Sequence, residues 1–240
     1  MITIHQLTKR FGALDVLAGL DLDIRPGRVT GVVGPNGAGK TTLIKIILGL
    51  TRADSGRVLM DGEPVGDDAA YRKRVGYMPQ IARFPENLTG AELITMVEEL
   101  RSGQRDAAGK RDRELIERFR LDAHLDKPLR TLSGGTRQKV NAVLAFLFDP
   151  DLLILDEPTS GLDPVASAIL KEKVASARAA GKTVIVTSHV MAELEEIADD
   201  IAFLLDGRVR FAGSVHDLKL HTRQLSLERA IAHMMTRTAA

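Results

Sequence analysis

Residues Gly34-Pro35-Asn36-Gly37-Ala38-Gly39-Lys40-Thr41 fit the pattern G-x-x-x-x-G-K-[ST], and Thr42 follows directly. Such glycines let the backbone curl until successive N–H groups face one point, and a helix starting there adds roughly half a positive charge. The Lys40 ammonium would reach the β- and γ-phosphates of a nucleotide, and the Thr41 hydroxyl suits Mg²⁺. The plain alternative is a Gly-rich turn with a surface lysine, but an apolar strand before and a helical pattern after favour a nucleoside triphosphate site. Such a site needs an acidic partner at the end of a buried strand. Leu152-Leu153-Ile154-Leu155 followed by Asp156-Glu157 supplies one. Asp156 would orient the Mg²⁺ shell and Glu157 would act as general base toward water. Acidic residues after a strand also cap helices, which is the competing reading. A third segment, Leu132-Ser133-Gly134-Gly135-Thr136, opens a helical run with a good N-cap and exposed N–H groups. Seen alone, it reads first as an ordinary capped helix.

The elements that must position these residues alternate between strand and helix. Ile2-Thr3-Ile4 and Leu20 to Ile24 alternate at period 2, Val29 to Val33 is β-branched, and Leu43, Ile46, Ile47 and Leu50 recur at helical spacing. Arg57 to Met60 reads as a strand. From Asn87 to Phe148 the character is helical. Strands return at 152–155 and 183–187 with a helix over about 164–180 between them, and 201–210 reads as a hairpin turning at Asp206-Gly207. Short apolar strands separated by helices predict an α/β fold with a mainly parallel sheet. The composition is that of a globular protein, 44% apolar and 27% charged over 240 residues. A balance of 33 basic against 32 acidic residues leaves +1, so no overall field advertises nucleic acid. Cysteine is absent, which removes disulfides and thiolate chemistry. No apolar run approaches the ~18 residues of a membrane span and the start lacks an apolar secretory region, so a soluble cytoplasmic chain is expected.

The order Gly34–Thr42, Gln80, LSGGT at 132–136, LLILDE at 152–157, Ser160-Gly161-Leu162-Asp163 and His189 resembles the ATP-binding cassette (ABC) ATPases over essentially the whole chain. The resemblance implies a P-loop NTPase, RecA-like core (1–80 and 149–213) with an N-terminal antiparallel β part, a helical subdomain insertion (81–148) and a helical tail (214–240), together one ABC ATPase domain. It implies ATP and Mg²⁺ as ligands, with Thr41, Gln80 and Asp156 at the metal and Glu157, His189 and Gln80 at the chemistry. It also implies two copies pairing head to tail, each ATP lying between one copy's P-loop and the other's Ser133-Gly134-Gly135. Phe11 matches the aromatic that stacks on adenine, where tyrosine is commoner; a core phenylalanine is the alternative. Gln80 matches the residue linking core and insertion, Asp163 a residue that crosses the dimer interface, and His189 a γ-phosphate contact. Thr136 departs from the family's glutamine, which leaves the subtype open.

The segment Ile81 to Gly90 resembles the exporter branch that uses separate permease chains, and it should receive a permease helix. The chain is thus expected at the inner face of the cell membrane, bound through permease subunits. More narrowly, that segment and Thr136 to Val140 resemble the ATPase of transporters serving nitrous oxide reductase maturation and copper transport. A cytosolic assembly ATPase of the iron–sulfur scaffold type is the competing reading. In the tail, His216, His221 and His233 invite a metal, but their spacing does not put all three on one helix face, and a solvated helix is favoured.

Overall fold

The structure is a computed structural model, and it describes residues 1–66, 69–102 and 111–238. Residues 103–110 of the expected insertion and 239–240 of the expected tail lie outside the described residues. In chain order the elements are β1 (Ile2–Phe11), β2 (Leu14–Ile24), β3 (Val29–Val33), α1 (Lys40–Ile47), β4 (Ser55–Met60), β5 (Glu63–Pro64), β6 (Val75–Met78), α2 (Gly90–Ser102), α3 (Glu114–Arg118) and α4 (Asp122–Leu125). They continue with α5 (Gly134–Phe146), β7 (Leu152–Asp156), α6 (Pro164–Ala179), β8 (Thr183–Thr187), α7 (Met191–Ile197), β9 (Asp200–Leu205), β10 (Arg208–Ser214), α8 (Val215–Thr222) and α9 (Leu227–Thr238). The chain folds into two units, 1–72 with 177–240, and 73–176.

In the first unit β1 pairs antiparallel with β2 (Ile2↔Ile24, Phe11↔Leu14) and with β4 (Ile2↔Met60, Ile4↔Val58). Alternation places Ile2, Ile4, Leu20, Leu22 and Ile24 in the core. The register slips after Ile4, where Gln6 takes φ 45° and both its backbone N–H and its side-chain amide donate to Asp21. That slip keeps Leu7 buried and lets β1 run on to Phe11, well beyond the expected 2–4. The second group of strands is parallel at its centre: β3 lies between β8 (Val29↔Val184, Val32↔Thr187) and β9 (Thr30↔Asp200, Val33↔Phe203). All five residues of β3 and all five of β8 are buried, as strands covered on both faces must be. β9 turns antiparallel into β10 through Asp206-Gly207, both at positive φ (51° and 69°). That is the two-residue hairpin geometry read from the sequence. The tail forms α8 and α9, anchored by buried Leu218, Leu227 and Ala230 and by the Glu195 carboxylate, which accepts from Lys219 and from the Leu227 N–H.

The second unit is built on the parallel pair β6–β7 (Val75↔Leu152, Met78↔Leu155) with α5 packed against β6. Gly76 permits that approach, since a Cβ there would lie 2.0 Å from the Ala145 carbonyl oxygen. Buried Lys173 on α6 donates to Asp112 and Glu114, tying α6 to the start of α3. The observed fold is the α/β P-loop architecture of the expectation, with parallel pairs at the centre and an antiparallel N-terminal sheet.

Candidate functional site

In the first unit the chemistry-bearing residues leave the carboxyl ends of two neighbouring parallel strands. Val32 pairs with Thr187, so Gly34, two residues on from Val32, and His189, two residues on from Thr187, emerge side by side. Open α/β sheets bind ligands at that end of the strands. The loop from Gly34 to Gly39 is shaped by glycine at defined points. A Cβ on Gly34 would lie 2.2 Å from the Leu204 carbonyl oxygen, and one on Gly39 would lie 2.8 Å from that of Val16. Gly37 and Gly39 have φ of 82° and 100°, conformations costing an L-residue about 1–2 kcal/mol. Gly39 is the N-cap of α1 and supplies no side-chain cap, and the first turn holds no acidic residue. The α1 N–H groups and the positive end of the helix therefore face no carboxylate of the first turn, an arrangement suited to an anion. The Lys40 ammonium donates to the carbonyls of Gly34 (2.6 Å) and Pro35 (3.0 Å), which holds it across the loop mouth.

Pro35 and Thr42 are partly exposed, Asn36 and Thr41 are exposed, and Ala38 is buried, fixing the loop to the core. Phe11 closes β1 at the turn into β2; the residue is 53% exposed, and the Lys9 ammonium lies 5.3 Å from its ring centroid. It is not a core phenylalanine. Its hairpin is tied to the loop through Val16 and Leu17, the residues that crowd Gly39. His189 is exposed, beyond the buried Ser188, whose hydroxyl accepts from the Val190 N–H at 3.0 Å.

The second unit repeats the arrangement. Met78 pairs with Leu155, so Gln80 and the pair Asp156-Glu157 also leave adjacent carboxyl ends. Gln80 is exposed, whereas Asp156 and Glu157 are each only 8% exposed. Glu157 has φ 50°, an uncommon conformation for a residue with a long side chain, costing about 1–3 kcal/mol. It turns the chain out of β7 immediately after Asp156. Tyr77 on β6 has its phenol pushed up to about 12 by burial and by the nearby Asp156 charge.

Ser133 caps α5 by accepting from the Thr136 N–H at 3.1 Å, and the Thr136 hydroxyl lies 2.8 Å from the Ser133 Oγ. The residue that departs from the family's glutamine thus pairs with the signature serine itself. Gly134 has open space around it, while a Cβ on Gly135 would come within 2.9 Å of the Gly161 carbonyl oxygen. Asp163 accepts from Lys139 (2.8 Å) and from the Ala166 N–H (2.8 Å), capping α6 ahead of Pro164. Those donors hold its carboxyl below the usual range, Lys139 most of all. The 132–139 and 160–163 stretches are thus brought together, a juxtaposition the sequence does not display.

The candidate metal donors are a threonine hydroxyl, a glutamine amide and a carboxylate. This all-oxygen set, carrying one negative charge, suits Mg²⁺, which takes few protein ligands and completes its shell with phosphate and water. Among the described residues no three His, Asp or Glu side chains gather into a metal site, the tail histidines included.

The sequence pattern of the ABC transporter family matches residues 17–160. The chain is 36% identical over 222 residues to Nod factor export ATP-binding protein I of Ralstonia nicotianae, covering 92% of this chain and 69% of that protein. It is 39% identical over 223 residues to daunorubicin resistance ATP-binding protein DrrA3 of Streptomyces coeruleorubidus, covering 92% and 70%. Among solved structures, the ATP binding subunit of an ABC transporter superposes with a TM-score of 0.86 at 29% identity, over 98% of this chain and 99% of that one. An ATP-binding cassette in a dimeric, post-hydrolysis state with ADP and Pi shares the fold, with a TM-score of 0.77 at 23% identity over 90% and 99%. With its P-loop, its strand-end carboxylates and its LSGGT helix, the chain belongs to the ATPase family of the ABC transporters.

Proposed function

We propose that this chain is the ATP-hydrolysing subunit of an ABC exporter, working as a head-to-tail pair of copies on separate permease subunits at the inner face of the membrane. The observation that carries the ATPase reading is the repeated emergence of polar residues from paired parallel strand ends: Gly34 beside His189, and Gln80 beside Asp156-Glu157. In this reading the Gly34–Thr42 backbone and Lys40 hold the β- and γ-phosphates, and Phe11 offers its exposed face to adenine. Mg²⁺ would be held by Thr41, Gln80 and Asp156, and it supplies charge neutralisation at the phosphate oxygens. The Glu157 carboxylate takes a proton from water as the water oxygen bonds to the γ-phosphorus. The bond to the bridging oxygen breaks, and ADP and inorganic phosphate result. His189 contacts the γ-phosphate, and Ser133-Gly134-Gly135 meets the nucleotide held by the other copy, with Asp163 at the interface between copies.

The direction of transport is taken from the relatives named for Nod factor export and daunorubicin resistance. The likeness of 81–90 and 136–140 to the nitrous oxide reductase maturation ATPase supports a narrower reading, a transporter that serves copper delivery. The exporter-like 81–90 segment also sets the permease-bound reading above a free assembly ATPase. The test is Glu157→Gln, which keeps size and most contacts but cannot take a proton. MgATP affinity should stay within about twofold while phosphate release falls at least ~100-fold. Release at the parent rate would place the base elsewhere.

A further inference from the structure

Two side-chain amides lie in the core of the second unit, Gln138 (8% exposed) and Asn141 (2%), one turn apart on α5. Their neighbours Val140, Ala142, Val143, Ala145 and Phe146 are apolar and buried. Amides in such a position cost free energy unless each is hydrogen-bonded, and apolar side chains would fill the space without that condition. Their partners are specific. Asn141 Nδ2 donates to the Pro79 carbonyl at 2.8 Å and to Gln138 Oε1 at 3.3 Å, and Gln138 Nε2 donates to the Pro158 carbonyl at 3.5 Å. Pro79 immediately precedes Gln80, and Pro158 immediately follows Glu157.

Proline fixes φ near −65°, so pinning its carbonyl oxygen leaves the chain there little freedom. At Pro79 the pinned carbonyl belongs to the peptide plane that continues into Gln80. At Pro158 a longer bond from Gln138 meets the residue directly after Glu157, whose own φ is 50°. The same helix begins at Ser133. We propose that Asn141 and Gln138 are positioning residues that set Gln80 and Glu157 for hydrolysis and couple them to the Ser133 end of α5. Through α5, engagement of Ser133 by the other copy's nucleotide is felt at this copy's own base. The inference rests on the functional reading above and adds a route between two nucleotides that neither motif contains.

The test uses the full 240-residue chain, with phosphate release, MgATP titration and thermal unfolding measured on the parent, Lys40→Ala, Asn141→Leu, Gln138→Met and the Asn141→Leu/Gln138→Met double variant. Asn141→Leu should lower kcat at least about tenfold with MgATP affinity within about twofold of the parent. Gln138→Met should fall in the same direction. The double variant should be no more than about twofold slower than the slower single, because the two amides act in one chain of bonds. In a Glu157→Gln background, Asn141→Leu should leave MgATP-driven pairing within about twofold, which separates positioning from a general loss of structure. A folded Asn141→Leu variant that hydrolyses at the parent rate overturns the proposal. If that variant does not fold, the same criterion is applied to Gln138→Met. A parent without Lys40-dependent hydrolysis overturns the functional reading and this inference with it.

Discussion

Lys40 is the one cation between Gly34 and Thr42, and its ammonium is held by two neutral carbonyls of its own loop. An anionic phosphate oxygen is a stronger acceptor than a carbonyl, and no other cation of the loop can meet it. Lys40→Ala should lower MgATP affinity about 10- to 100-fold, read by titration with a fluorescent nucleotide. Affinity within twofold of the parent would remove the P-loop from the binding site. At this scale the loop was legible because its chemistry depends on residue type and spacing alone. Phe11 left two readings open because the letter F does not report exposure; its exposed place at the turn after β1 removes the core reading. The roles of Thr136 and Asp163 beside Ser133 and Lys139 were not legible, because each depends on where a helix starts in space. Gln138 and Asn141 were hidden for another reason: nothing sets two amides in an apolar helix apart until their carbonyl partners are known.

Elements are positioned by a second set of groups away from the chemistry. Asp200, at the start of β9, is 5% exposed and accepts from Arg25 beyond β2 and from Arg28 ahead of β3. Burial works against its charge, but the two guanidinium groups prevail and hold the carboxyl below its usual range. A carboxyl lowered by folding contributes stability above its unfolded pKa of about 3.9, and that contribution is lost as pH falls through the folded value. Asp200→Asn should therefore destabilise by about 1–3 kcal/mol at pH 7, with the difference from the parent shrinking below pH 4. Urea unfolding of both proteins at pH 7 and pH 3 checks this; a pH-independent difference would contradict it. The strands carrying the P-loop and the acidic pair were readable because they are short, mostly apolar or β-branched, and flanked by glycine or acid. β6 was not, since Gly76 and its four-residue length leave no period to detect, and α7 is likewise too short at seven residues. The length of β1 was hidden by the slip at Gln6, which breaks the alternation.

For the whole molecule, the formal charge of +1 gives no strong net field. Among the described residues no helix is long and apolar enough to cross a membrane. In the proposed function energy passes to a permease by contact, and its source is the pairing of two copies around MgATP. The sharpest measurement starts from Glu157→Gln, in which slowed hydrolysis should let the ATP-bound pair accumulate. Ser133→Glu added to it sets a carboxylate against the other copy's phosphates in a poorly hydrated interface, where like charges repel strongly. In the proposed head-to-tail pair Ser133 serves the other copy's nucleotide, so a single copy should bind ATP as before. Light scattering with and without MgATP should show a MgATP-dependent dimer for Glu157→Gln and only monomer for Glu157→Gln/Ser133→Glu, with nucleotide affinity of the monomer unchanged within about twofold. Undiminished dimers in the double variant, or loss of ATP binding by its monomer, would contradict the shared site.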